Sequence, residues 1–226
     1  MISEKNVSKD LINYIKSNIF PIYDKFYAHG MLHINYVINH SFIIASDYNV
    51  NPDMVYCVAC YHDLGLVNVN NNRDLHATFS GKILINDSNL KKFFNNEQLE
   101  IMKQAVEDHQ GSRNQEPRNI YGKIVSDADR DLDVSILAKR QLQTSIKYYP
   151  ELTTFEEHFE RCYKYILERN KKKFNLWTEN TIINRMMNDF KKSFLDKEYT
   201  KEIYKEAWDD IEKRNLKEKF LNYYID

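Results

Sequence analysis

Glycine and proline are scarce in this chain: 5 Gly and 4 Pro over 226 residues. A β fold of this length needs many tight turns, and those turns draw on these two residues. Their scarcity, with many Lys, Glu, Leu, Ile and Tyr, predicts long helices joined by short loops. The fold class expected is all-α. Hydrophobic residues make up 42% of the chain, enough for a true core.

Apolar periodicity places the helices. Val7, Leu11, Ile12, Ile15 and Ile19 share one helical face, with Pro21 expected to close the segment. A second helix is predicted from Leu32 to about Asp47, with His33, Val37 and His40 at spacings of four and three. "NPDMVYCVACYHD" begins with Asn51 as N-cap and Pro52 at the first helical position, so a third helix should reach about residue 62. "LHATFSGKILI" reads as a short helix, and "NNEQLEIMKQAVEDH" as another behind an Asn cap. From about 121, "YGKIVSDADRDLDVSILAKRQL" is expected to continue helically, followed by amphipathic helices over 153–175, 179–197 and about 199–222. No Gly/Ser/Pro-rich linker separates these parts, so 1–226 is read as one helical domain.

Composition also narrows the partners. A formal net charge of -1 gives no reason to expect a nucleic-acid polymer or an acidic membrane. The opening residues carry too many charges for an apolar signal region, and no long apolar run occurs, so a cytoplasmic protein is expected. Cys57 and Cys60 form a lone CxxC with no second pair, and are read as small core residues of the third helix. The aromatic late helices can seal a core or a homodimer interface.

Histidines and carboxylates recur where the predicted apolar faces end. His33 lies near Val37, His62-Asp63 near Val58, His109 near Val106, and Asp129 near Ile124, with His76 as a fifth feature. Such groups at a core edge must be paired, hydrogen-bonded or metal-bound. Imidazole with carboxylate suits divalent Mn, Fe, Zn, Co or Ni. His158, in "FEEHFE", is read as a solvated helix residue, and His40 as buried and hydrogen-bonded.

The order His33, His62-Asp63, Asp129 resembles the HD superfamily of metal-dependent phosphohydrolases. "HINYVINHS" is similar to that family's first-histidine helix, "VACYHDLG" to its doublet helix, and "IVSDADRD" to its last ligand segment. The resemblance covers roughly 25–135 and implies an HD-type helical bundle, with 150–226 as a C-terminal helical extension. It implies metal ligation by His33, His62, Asp63 and Asp129, although Asp127 competes with Asp129 for the last place. "HATFSG" and "EDHQG" resemble the extra ligand segments of binuclear branches, which adds His76 and His109, makes Asp63 a bridge, and leaves one or two ions open.

The implied activity is hydrolysis of a phosphate ester or anhydride in a nucleotide or other small phosphorylated metabolite. Asp63 would hold metal and nucleophile together, while Arg73 and Lys123 meet the phosphate. Arg118 and Arg130 are further cations near Asp129, and Glu107 and Asp108 flank His109. His29 is a further candidate near His33. Two departures bear on substrate: Tyr36 stands where many HD proteins carry Arg, and no Gly-Tyr-Pro follows His109, against the cyclic-dinucleotide branch. Gly111 fits the dinucleoside-tetraphosphate branch. A di-iron oxygenase and a non-catalytic metal- or nucleotide-binding module are the alternative functions.

Overall fold

A computed structural model describes residues 3–24, 29–68, 75–110, 115–130, 132–170 and 176–222. Arg73 and Gly111 lie outside these. The described residues form α-helices and short 3-10 turns: α1 (Lys9–Asn18), α2 (Phe20–Tyr23), α3 (Met31–Ala45), α4 (Pro52–Tyr61), α5 (His76–Asn86), α6 (Asn96–Glu107), α7 (Ile120–Ala128), α8 (Val134–Tyr148), α9 (Phe155–Asn170), α10 (Thr181–Ser193), α11 (Lys197–Lys213) and α12 (Leu216–Asn222). The chain is all-α. Contacts divide it into two compact units, one of Met1–Arg130 with Leu176–Ile182, the other of Asp131–Asn175 with Ile183–Ile225.

The first unit is organised about α4. Met54 through Tyr61 are all buried. A helix apolar on every side has to be enclosed, and α3, α6 and α7 surround it. Each large aliphatic side chain buried here contributes about 1.5–3 kcal/mol. Local sequence sets the start of this helix: Asn51 Oδ1 accepts from the Asp53 amide, and Pro52 fits the first turn because no intrahelical bond is demanded of it. Cys57 and Cys60 are free and buried. At α6 an Asn95/Gln98 capping box does the same work.

Three expectations about helix limits change. Pro21 does not end the first helical region but lies in the first turn of α2. The helix expected from 121 onward is two helices: α7 ends at Ala128, and Asp133 caps α8 by accepting from the Ser135 and Ile136 amides. The segment expected over 199–222 breaks at Arg214–Asn215, where Asn215 has φ 50°. Asn is among the few residues that tolerate that left-handed conformation.

Within the second unit, α8 packs on α9, α11 and α12. His158 is buried there, against the solvated position expected for it, and its Nδ1 lies 2.7 Å from Ser145 Oγ. Acidic and basic residues surround it in sequence, yet the helix rotates it inward. Burial then lowers its pKa, keeping it neutral.

Candidate metal centre

Five helix ends meet in the first unit. His62 and Asp63 follow the last residue of α4, His109 follows the C-cap of α6, and Asp129 is the C-cap of α7. His33 lies in the first turn of α3, and His76 is the first residue of α5. The C-terminal ends of α4, α6 and α7 present partial negative charge to this point, which favours a cation.

The six side chains converge as two clusters: His33, His62, Asp63 and Asp129 in one, Asp63, His76 and His109 in the other, with the donor atoms of each within 4.8 Å of one another. Asp63 belongs to both. Its Oδ2 lies 3.5 Å from His33 Nε2 and 3.2 Å from His62 Nε2, while its Oδ1 lies 3.2 Å from His76 Nε2 and 3.4 Å from His109 Nε2. Asp129 Oδ1 completes the first cluster, 3.1 Å from His33 Nε2 and 3.7 Å from His62 Nε2. The two imidazole pairs face each other nitrogen to nitrogen, at 3.3 Å for His33–His62 and 3.1 Å for His76–His109.

These spacings match a metal's coordination shell. Ligands bonded at about 2.0–2.2 Å to one ion stand about 3.0–3.5 Å apart along the edges of an octahedron or tetrahedron. Protonation points the same way. His62 Nδ1 donates to the Ala59 carbonyl at 2.8 Å, and His109 Nδ1 donates to the Val106 carbonyl at 2.6 Å. With Nδ1 occupied in this way, loss of the Nε2 proton leaves the Nε2 lone pair of each ring turned inward, the form a metal ligand needs. Gln110 Nε2 donates to His76 Nδ1 at 3.0 Å and holds that ring in place beside the cluster.

The electrostatics also demand positive charge. Burial opposes ionisation of Asp63, but the His62 and His29 charges and hydrogen bonds from His109 and His33 hold its carboxyl well below the usual carboxylate range. Burial likewise opposes ionisation of Asp129, and hydrogen bonds from His33 and His62 overcome it. On His62 burial disfavours charge, but Asp63 and Asp129 outweigh it and push the pKa up to about 10. His109 moves the other way, lowered chiefly by burial. The donor set is thus one or two potential sites for a divalent ion.

The family comparison agrees with this geometry. The description "HD domain" matches residues 32–132. That segment is similar to the HD-domain superfamily and holds all six of the clustered side chains. No curated protein and no solved structure matches it.

The HD doublet owes its setting to Gly65. A Cβ there would stand 2.0 Å from the His76 carbonyl oxygen and 2.5 Å from the Ser80 amide nitrogen, so only glycine lets α5 approach so closely. The Gly65 amide donates to Ser80 Oγ at 2.7 Å and ties the two segments together. Asp127 has another occupation. Its carboxylate accepts from the Trp177 and Thr178 amides and from the Thr178 hydroxyl, and is buried. Of the two aspartates, Asp129 is the one turned to His33 and His62.

The cations and flanking acids are also accounted for. Arg118 forks onto Asp108 at 2.8 and 2.9 Å and onto Glu107 at 2.7 Å, so all three belong to one surface network and His109 is oriented by main chain instead. Lys123 is ion-paired with Glu116. Arg130 is buried, 3.7 Å from Asp127. The His29 ring meets the His33 ring edge-on at 5.4 Å. His40 is part-buried, stacked on Tyr36 and bonded through Nδ1 to the Tyr36 carbonyl. Gln110 was not among the residues expected at the site; its place directly after His109 was the available signal.

Among the described residues, no helix is long and apolar enough to cross a membrane.

Proposed function

We propose that this protein is a metal-dependent phosphohydrolase acting on a phosphate ester or anhydride of a nucleotide or similar small metabolite. The observation that carries the reading is the position of Asp63, with one oxygen toward each histidine cluster. In this reading His33, His62, Asp63 and Asp129 hold one divalent ion, and Asp63, His76 and His109 hold a second. Ions so held lower the pKa of water toward neutrality and neutralise charge on a transferring phosphoryl group.

The protein's own part is positioning and charge. Two carboxylates among four imidazoles cannot neutralise two divalent ions, so the loaded site keeps positive charge and attracts an anion. His33, His62, Asp63 and His109 are almost fully enclosed, whereas the Asp129 side chain is 24% exposed and that of His76 15%. Substrate and water therefore approach on the Asp129 and His76 side, and the buried members keep the geometry. Arg73, three residues before His76 in sequence, is the cation proposed to meet the phosphate. Lys123 would have to release Glu116 to join it.

The test is phosphate release from a panel of nucleotides, dinucleoside polyphosphates and phosphomonoesters by protein loaded with Mn or Fe. Turnover that disappears in H62A and D63A supports the proposal. Fully metallated protein that releases no phosphate from any of them overturns it. Oxygen uptake would then favour the di-iron reading, and tight nucleotide binding without product the regulatory one.

A further inference from the structure

Two buried tyrosines stand beside the candidate ligands without being among them. Tyr23 belongs to α2, outside the segment matched as HD domain, and is fully enclosed. Its hydroxyl donates to the Cys60 carbonyl at 2.8 Å. That is where α4 stops. A helix end leaves carbonyls without intrahelical donors, and inside a core water does not supply them. Here His62 Nδ1 takes the Ala59 carbonyl and the Tyr23 hydroxyl takes that of Cys60. The hydroxyl thus fixes the last turn of α4, just before the doublet.

Tyr36 does the corresponding work at the other carboxylate. Its ring is stacked on His40, with centroids 3.9 Å apart, and its hydroxyl donates to the Arg130 carbonyl at 3.0 Å. Arg130 directly follows Asp129. α7 ends at Ala128, so this bond holds the main chain just past the residue that faces His33 and His62.

We infer that Tyr23 and Tyr36 are positioning residues of the metal centre, Tyr23 holding the turn that carries Asp63 and Tyr36 the turn that carries Asp129. The inference rests on the proposed metal-centre reading. It has an unequal consequence. Asp63 faces both clusters, whereas Asp129 faces one. Loss of the Tyr23 hydroxyl must therefore disturb both ions, and loss of the Tyr36 hydroxyl only the ion of His33, His62 and Asp129.

The experiment titrates Co(II) into metal-stripped wild-type, Y23F and Y36F protein, followed by the visible absorption of the bound ion and by calorimetry. Far-UV circular dichroism and thermal unfolding report the fold. Removing partners that orient ligands costs about 10–100-fold in metal affinity. Y23F is expected to weaken both sites by that factor, and Y36F to weaken one and leave the other at wild-type affinity, each with wild-type circular dichroism. Unchanged affinities, or equal weakening of both sites in the two variants, overturn the inference. If Y23F does not fold, Y36F decides alone, through one-site weakening or its absence. Wild-type protein that binds no Co(II) overturns instead the metal-centre reading itself, a result separate from binding that the variants leave unaltered.

Discussion

Gly65 and His76 touch through their backbones, so closely that a Cβ on Gly65 would fall 2.0 Å from the His76 carbonyl oxygen. This contact seats the first turn of α5 against the turn after the doublet, and it sets the 3.2 Å distance from His76 Nε2 to Asp63 Oδ1. G65A should push the two segments apart. A stability loss of about 2–3 kcal/mol is expected from the overpacking. Thermal unfolding and metal analysis check it: the variant should melt lower and lose the ion of His76 and His109 first. A G65A protein with wild-type melting and metal content would show that α5 yields without cost.

The shared position of Asp63 makes its substitution unlike that of any histidine. H76A or H109A should remove one ion and leave the His33, His62 and Asp129 group able to hold the other. D63A should abolish both. Metal analysis of protein purified without chelator reads the difference directly, because ligand loss lowers stoichiometry before it alters the fold. Equal loss in all three variants would deny the bridge.

Asp127 and Asp129 are two residues apart and should behave oppositely. D127A leaves the Trp177 and Thr178 amides and the Thr178 hydroxyl without their buried acceptor. Unpaired buried donors cost about 1–3 kcal/mol each, so a loss of about 3 kcal/mol or more is expected, with metal content retained by the folded protein. D129A should instead lose an ion while the folded protein keeps the Asp127 contacts. Loss of metal in D127A while its stability holds would exchange the two roles.

Metal-stripped protein should show a characteristic pH dependence. His62 has its folded pKa raised to about 10, against about 6.5 for an unperturbed imidazole. The stability it contributes is complete below about pH 6.5 and is lost as pH rises through about 10. Asp63 and Asp129 are depressed, so their contribution is present above about pH 4 and lost as pH falls below that. His109 and His158, whose pKa values burial lowers, withdraw stability as pH falls below about 6.5, so the stripped protein should melt highest near pH 6.5 and lower as pH rises toward 10. A melting temperature that climbs steadily from pH 6.5 to 10 would contradict this.

Much of the fold was legible because it is local. Apolar spacing marked α1, α3, α4 and α6, and the Asn51 and Asn95 caps marked two of their starts. The end of α7 was missed although Asp133 is a strong cap for α8, since "SDADRDLDV" also offers an unbroken helical pattern. The doublet was legible too, because His62 and Asp63 are adjacent and come directly after the apolar run Met54–Tyr61. His158 was not: its burial depends on Ser145 and on the helices around it, and nothing within "FEEHFE" distinguishes it from an exposed histidine.

By itself the sequence determined the helical class, the six imidazole and carboxylate side chains worth considering, and the order in which they occur. Tertiary structure decided which atoms meet. Asp127 and Asp129 differ by about 200° of rotation around α7, and only the arrival of Trp177 and Thr178 at one of them separates an anchor from a candidate ligand. The Asp63 carboxylate faces two histidine pairs because five helix ends converge, and Tyr23 and Tyr36 hold its turn and that of Asp129 from positions no spacing rule connects to them. Side-chain identity is a property of the chain, but the approach of the Asp63 carboxylate to histidines far from it in sequence arises only when the core packs.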